Sequence, residues 1–237
     1  MVEKAKILVV DDEPPIGDIV STTLGRAGHE VIYAADAQQA IDIFHREPID
    51  LFILDIMMPN MDGFALCEWL RRRSNVPVIM LTAKGSVNDI VHGFQVGADD
   101  YITKPFTIKE LEVRVEAILR RLSWAEEKRP AKAIMVGDVN VDAEARLVTV
   151  RGTEIHLTPM EFELLYCLIS HAGQAVNRAS LFREVWGYDS MEEASLVEVG
   201  IRRLREKIEE DPSSPRRILT VRGVGYKFAE GAADNVS

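Results

Sequence analysis

Asp50-Leu51-Phe52-Ile53-Leu54-Asp55-Ile56-Met57-Met58-Pro59 is the stretch on which the fold turns. The apolar run Leu51 to Leu54 shows no polar alternation, which predicts a strand buried on both faces of a parallel sheet. Asp55 ends that strand, and Pro59 and Met61-Asp62-Gly63 turn the chain just beyond it. In open α/β sheets the reactive crevice lies outside the carboxyl ends of the strands. A carboxylate delivered there by a rigid element is placed for chemistry. A helix cap or turn former is the plainer reading of a lone Asp near a Pro-Asn turn, and the residues around it decide between the two.

Upstream, Lys6-Ile7-Leu8-Val9-Val10 predicts a buried strand that ends in Asp11-Asp12-Glu13, and Val31-Ile32-Tyr33-Ala34 predicts another. Downstream come Val76-Pro77-Val78-Ile79-Met80-Leu81-Thr82 and Tyr101-Ile102-Thr103-Lys104-Pro105-Phe106. Helical periodicity falls between them: Ile16, Ile19, Val20, Thr23 and Leu24; Ala37, Ala40, Ile41 and Phe44; Phe64, Cys67 and Leu70; Ile90, Val91 and Phe94; then Ile108, Leu111, Val115, Ile118, Leu119 and Leu122. Five βα units in alternation predict an α/β doubly wound five-stranded parallel sheet.

The strand ends then supply Asp11, Asp12, Asp55, Thr82 and Lys104 to one edge. Three carboxylates in one crevice repel unless a cation or proton intervenes. Oxygen donors without His or Cys suit a hard ion such as Mg²⁺. A hydroxyl and an ammonium opposite them are what a transferred phosphoryl group needs for its equatorial oxygens. The chemistry is an Asp nucleophile attacking phosphorus to give an acyl phosphate. Taken singly, Asp11-Asp12 also reads as a cap on the helix at Pro14, and Lys104 as a solvated lysine before a proline.

The set Val10-Asp11-Asp12-Glu13, Leu54-Asp55-Ile56-Met57-Met58-Pro59, Met61-Asp62-Gly63, Leu81-Thr82-Ala83 and Gly97 to Phe106 resembles a two-component receiver domain with a flavodoxin-like fold, over residues 5–122. The resemblance implies Asp55 as phosphoacceptor from a sensor histidine kinase. It implies Mg²⁺ held by Asp11, Asp12, Asp55 and the Met57 backbone carbonyl, and a switch pair of Thr82 and Tyr101. The helix from Asn88 to Val96 has no Lys or Arg, where the family pairs one with an acid of its dimer partner. Asp99, Asp100, Glu110, Arg114 and Arg121 remain for a homodimer interface formed on phosphorylation.

The apolar period fades across residues 123–133, where charge and a proline enter, which reads as a linker between domains at 1–122 and 134–232. Short antiparallel strands follow at Ile134–Val141, Leu147–Val150 and Ile155–Leu157. Thr158-Pro159-Met160-Glu161 predicts a capping box, with helices over residues 159–172, near Arg178–Trp186 and near Glu193–Glu210. Ile218–Val221 and Tyr226–Phe228 flank Arg222-Gly223-Val224-Gly225 as a hairpin. On the last helix, Ser195, Glu198, Val199, Arg202, Arg203 and Glu206 lie opposite the core stripe of Val197, Ile201, Leu204 and Ile208. Such a mixed face can read base edges, although a solvated helix face is the more frequent meaning of these charges.

This half resembles the α+β winged helix-turn-helix domain of OmpR/PhoB-type response regulators. The resemblance rests on Leu157 to Leu165, Val185-Trp186-Gly187-Tyr188, Arg202 to Ile208 and Thr220 to Tyr226. It implies a transcription factor, not an enzyme. Glu198, Val199 and Arg203 would lie near bases of promoter DNA, Arg222 in the minor groove, and Arg202, Arg205, Thr220 and Tyr226 on phosphates. The Trp186–Met191 loop would face RNA polymerase. Ser195, Leu196 and Gly200 stand where the family usually has Arg-Thr and a His.

Composition agrees with two soluble domains. The chain has 237 residues, 47% of them hydrophobic and 28% charged, and no apolar run long enough to span a bilayer. No membrane partner is expected. The start of the chain lacks a signal-peptide pattern and Cys67 and Cys167 sit in apolar helical patterns, so a cytoplasmic protein with reduced thiols is expected. The net charge of −10 argues against a generally basic nucleic-acid binder, yet residues 201–227 alone carry a local excess of positive charge. An aspartyl-phosphate phosphatase is the enzyme alternative. Such enzymes place the nucleophile in an Asp-x-Asp pair on the first strand, whereas Asp11 and Asp12 are adjacent here. An adaptor that binds protein through its second half is the other, and Arg222 in the hairpin argues against it.

Overall fold

The computed structural model describes residues 4–83, 87–127, 133–188 and 196–230. The chain divides into two compact units, residues 1–120 and 121–237.

The first unit alternates β1 (Lys6–Val10), α1 (Pro14–Arg26), β2 (Glu30–Ala34), α2 (Ala37–Phe44), β3 (Leu51–Asp55), α3 (Gly63–Arg71), β4 (Val78–Ala83), α4 (Val87–Val96), β5 (Asp100–Lys104) and α5 (Ile108–Glu127). The sheet is parallel with strand order β2-β1-β3-β4-β5. The chain winds in opposite directions on either side of the β1–β3 neighbours, so the crevice opens at their carboxyl ends. Every residue of β3 is buried, as its unbroken apolar run requires. Val10 lies beside Leu54, Asp55 beside Leu81, and Ala83 beside Lys104, which brings the strand ends into one row.

Local sequence sets the helix starts. Asp36 and Asp62 accept hydrogen bonds from the backbone N–H of Gln39 and Ala65 and cap α2 and α3, each cap contributing about 1 kcal/mol. Gly63 opens α3 hard against the active edge. A Cβ there would sit 2.2 Å from the Asp55 carbonyl oxygen. Two apolar positions differ from the periodic reading, since Ile19 and Ile108 are exposed. α5 runs to Glu127, into the stretch read as linker. Ala125, Glu126 and Glu127 are good helix formers, and losing the apolar stripe does not by itself end a helix.

The second unit opens with an antiparallel sheet of β6 (Ile134–Val136), β7 (Val139–Asp142), β8 (Leu147–Val150) and β9 (Thr153–Glu154). The last strand starts earlier than the expected Ile155–Leu157, because Arg151 and Gly152 alone make the turn, both at positive φ. Then come α6 (Pro159–Ser170), β10 (Ala175–Asn177), α7 (Arg178–Trp186), α8 (Leu196–Ile208), β11 (Ile218–Val221) and β12 (Gly225–Phe228). β10 is too short to carry a period of its own, and it completes a three-stranded sheet ordered β10-β12-β11. The capping box forms as expected, with Thr158 and Glu161 each bonding the other's backbone N–H. Trp186, Phe162, Phe182 and Phe228 fill the core. Among the described residues, no helix is long and apolar enough to cross a membrane.

Candidate functional site

At the carboxyl edge of the parallel sheet, one oxygen each from Asp11, Asp12 and Asp55 lies within 4.8 Å of the others. Asp11 and Asp55 are buried and Asp12 is exposed. Lys104 Nζ bridges the two buried carboxylates, 2.9 Å from Asp11 Oδ2 and 2.8 Å from Asp55 Oδ1, with Glu13 at 3.5 Å. The second Asp11 oxygen accepts the Glu13 N–H, which leaves the Asp11 side chain held from both sides. Burial raises the Asp55 pKa above the ordinary carboxylate value; Lys104 pulls it down, and the charges of Asp11 and Asp12 push it up again. Burial opposes the charge on Lys104, but its bonds to Asp11 and Asp55 outweigh that and hold its pKa above the usual lysine value.

A raised carboxylate pKa means that the folded state binds the proton more tightly than the unfolded chain. Ionised Asp55 therefore works against folding, and stability contributed by this group falls as pH rises through the carboxylate range. Asp55→Asn is expected to raise the melting temperature of the metal-free first unit at pH 7. The gain should shrink as pH falls through the raised folded-state pKa and vanish below the unfolded value of about 3.9, where Asp55 is protonated in both states. Melting curves in EDTA across that range check the sign.

Thr82 is buried next to this cluster at the end of β4, and its hydroxyl lies 3.4 Å from the Ala83 carbonyl. Tyr101 is also buried, edge-on to Phe94 at 6.1 Å between ring centres, with the Arg114 guanidinium 5.4 Å from its own. The five residues collected by the sequence reading thus share one edge. The donor set is carboxylate only, which fits a hard divalent ion.

Most of the residues expected at a dimer interface pair within their own unit. Asp99 is 1% exposed, Asp100 0% and Arg114 6%. Asp99 pairs with Arg71 at 2.8 Å and accepts the Val78 N–H, while Asp100 pairs with Arg114 at 3.1 Å. Arg114 also holds Glu110, at 3.0 Å. The two acids stand where the chain enters β5, and Arg71 of α3 and Arg114 of α5 in their own unit pair with them. Glu110 is half-buried, and the side chain of Arg121 lies outside the described residues.

The second candidate surface is α8 with the β11–β12 hairpin. Glu198 and Arg202 are exposed as expected, Val199 is half-buried, and Ser195 lies outside the described residues. Arg202 pairs with Glu206 one turn on, and Glu198 pairs with Arg178 at 2.8 Å. Thr220 and Arg222 are exposed. Three of the residues expected at DNA have partners within the protein. The Arg203 side chain is 14% exposed and meets the buried Glu161 carboxylate at 3.0 Å, with Lys207 2.5 Å from the other oxygen. Arg205 donates to the Ile218 carbonyl and the Thr220 hydroxyl and so ties β11 to α8. Tyr226 is buried, with the guanidinium groups of Arg178 and Arg205 each 5.8 Å from its ring centre.

Arg217, counted with the basic hairpin, is likewise buried and clamped to Asp138 and Glu209. Arg178 is an exposed cation that the sequence pattern does not single out. Its signal was available: a basic residue in the first turn of a helix opposes the macrodipole, and α7 has no acid there to balance it.

Comparisons with known proteins follow this division. Residues 7–116 match the response regulator receiver domain family, and residues 152–228 match the C-terminal domain of transcriptional regulatory proteins. A probable transcriptional regulator, ycf27, from Porphyridium aerugineum is 47% identical over 95% of this chain and 96% of its own. Its namesake from Cyanophora paradoxa is 45% identical over 96% and 97%. Among solved structures, a point mutant of RitR superposes with TM-score 0.76 at 28% identity, covering 96% of this chain and 100% of that one. The Thermotoga maritima OmpR/PhoB homologue DrrB gives TM-score 0.52 at 33% identity, covering 95% and 99%. With a receiver module carrying an acidic, lysine-bridged edge and a transcriptional regulatory module behind it, the chain belongs to the OmpR/PhoB-type response regulators, DNA-binding proteins that regulate transcription.

Proposed function

We propose that Asp55 accepts a phosphoryl group from a phosphohistidine on a sensor kinase, and that phosphorylation drives homodimerisation and binding to promoter DNA. The observation that carries this reading is Lys104, which links Asp11 and Asp55 across the crevice. The Asp55 oxygen forms the new bond to phosphorus as the phosphorus–nitrogen bond of the phosphohistidine breaks, and the departing imidazole nitrogen takes a proton from water. Asp11, Asp12, Asp55 and the Met57 carbonyl would hold Mg²⁺, which when bound screens the charge of the phosphoryl oxygens. Lys104 ion-pairs an equatorial oxygen and exchanges its Asp55 contact for the phosphoryl group. Thr82 turns its hydroxyl from the Ala83 carbonyl toward a second oxygen, and Tyr101 fills the space vacated.

Acetyl phosphate tests the assignment directly. The chain is expected to take up one phosphoryl group in Mg²⁺, and Asp55→Asn is expected to take up none. Undiminished labelling of that variant, or of the wild type in excess EDTA, would remove Asp55 from the role.

For DNA, α8 enters the major groove with Glu198, Val199 and Arg202 outward, and Arg222 at the hairpin tip enters the minor groove. Thr220 and Arg178 stand beside the backbone. The Trp186–Met191 loop, of which residues 189–191 lie outside the described residues, is the segment assigned to RNA polymerase. Arg222→Ala is expected to weaken binding and lower the salt slope of log K by about one unit. Fluorescence anisotropy with promoter DNA across a salt series measures both, and an unchanged slope would place the hairpin tip away from the backbone.

A further inference from the structure

Cys167, His171 and Glu184 of the C-terminal unit each offer one ligand atom, and these atoms lie within 4.8 Å of one another. Cys167 and His171 stand four residues apart at the end of α6, so one helical turn stacks them on the same face. Glu184 comes from α7, which packs against α6. We infer that these three side chains form a binding site for a thiolate-seeking divalent cation of the Zn²⁺ class, which fastens α6 to α7.

The donor set argues for that chemistry and sets the site apart from the acidic edge of the first unit. Thiolate, imidazole and carboxylate together suit Zn²⁺ or Co²⁺, whereas Mg²⁺ takes oxygen ligands. The pieces are already oriented. His171 Nδ1 lies 2.8 Å from the Cys167 carbonyl. A carbonyl can only accept, so Nδ1 carries a proton and Nε2 is the nitrogen available to a metal ion. A histidine ligand held by a backbone carbonyl in this way is the usual outer-shell arrangement of zinc sites. Cys167 is buried beside Glu184; burial first, and the nearby carboxylate second, push its thiol above the usual range, so a metal ion has to displace the proton.

Zinc–sulfur and zinc–nitrogen bonds of about 2.3 and 2.0 Å put tetrahedral ligand atoms roughly 3.5 Å apart. Closing from separations of at most 4.8 Å takes a shift of no more than about 1.3 Å, to which the exposed Glu184 and the His171 and Cys167 side chains can each contribute by rotamer adjustment. On coordination the sulfur–hydrogen bond gives way to a sulfur–metal bond and the proton passes to water. No proton leaves His171 or Glu184. Three protein ligands leave the fourth position to water.

The test uses the full-length protein, stripped of metal and held in saturating Mg²⁺ so that the acidic edge is occupied. Titration with Co²⁺ is expected to produce a near-ultraviolet thiolate-to-cobalt charge-transfer band that saturates at one ion per chain and is bleached by Zn²⁺. Cys67→Ser should keep the band and Cys167→Ser should lose it. Glu184→Gln changes a surface residue, leaves the fold intact, and is expected to weaken binding about tenfold or more. Zn²⁺ should raise the melting temperature of the wild type and not that of Glu184→Gln. Absence of the band in the wild type, its survival in Cys167→Ser, or an unchanged midpoint in Glu184→Gln would each overturn the site. None of these readouts depends on phosphorylation or DNA.

Discussion

Glu161→Ala is expected to destabilise the C-terminal domain by about 3–5 kcal/mol, the usual cost of removing one partner from a buried ionic group. Glu161 is 2% exposed, and three groups converge on it, one from the α6 N-cap and two from α8. It accepts the Thr158 N–H at 2.8 Å to complete the α6 capping box, and it receives Arg203 and Lys207 from α8. Alanine strips the α6 N-terminus of half its box and takes from the Arg203 guanidinium a counter-charge in a place nearly closed to water. Lys207 is more exposed and can turn to solvent, so most of the penalty comes from Arg203. Denaturant unfolding followed at Trp186 measures the loss. Arg203→Ala should also be destabilising while leaving the salt slope of DNA binding unchanged, opposite to Arg222→Ala. A loss below about 1 kcal/mol for Glu161→Ala would mean that the two cations are surface charges after all.

Gly63→Ala is expected to cost about 3 kcal/mol, near the top of the range for overpacking, and to slow phosphoryl uptake at Asp55. The added Cβ would meet the Asp55 carbonyl oxygen at 2.2 Å and the Asp55 carbonyl carbon and Ile56 Cα at 3.0 Å. All three are backbone atoms, so no rotamer change relieves the contact. Either α3 backs away and loses the Gly63 N–H bond to the Ile56 carbonyl, or the end of β3 is displaced together with its carboxylate. Unfolding curves and the acetyl phosphate labelling rate report the two outcomes. Wild-type values for both would show that the β3–α3 turn has slack.

The acidic edge was legible because parallel strands announce themselves locally. Unbroken apolar runs locate the strands, and the residue after each run is at the crevice whatever the rest of the chain does. The α8 surface was not legible in the same way, since its arginines face whatever lies across from them. Arg203 falls on the polar side of a stripe drawn through Val197, Ile201, Leu204 and Ile208. Gly200 shifts that stripe: a Cβ there would be 3.0 Å from Leu164, and without one α8 lies close against α6. Leu196 and Gly200 become buried, and Arg203 comes to the core margin opposite Glu161. A carboxylate far upstream decides its fate, and helical periodicity carries no information about it. The same holds for Asp99 and Asp100, whose partners Arg71 and Arg114 belong to other helices.

The place of Lys104 has a consequence for assembly in time. Asp11 and Asp55 come from the two neighbouring strands β1 and β3, but Lys104 comes from β5, which is an edge strand paired with β4 alone. It follows Asp11 by 93 positions, several seconds of synthesis at roughly 5–20 residues per second. A partly made sheet therefore holds its carboxylates together without that lysine to offset them, and repulsion works against its closing. Docking of β5 removes that opposition, so the last strand is drawn in by the charges it will later serve. A chain that stalls before this step lacks the cation with which to receive a phosphoryl group. On the role proposed for Asp55, competence to take up a phosphoryl group would then mark, molecule by molecule, that the sheet has been completed.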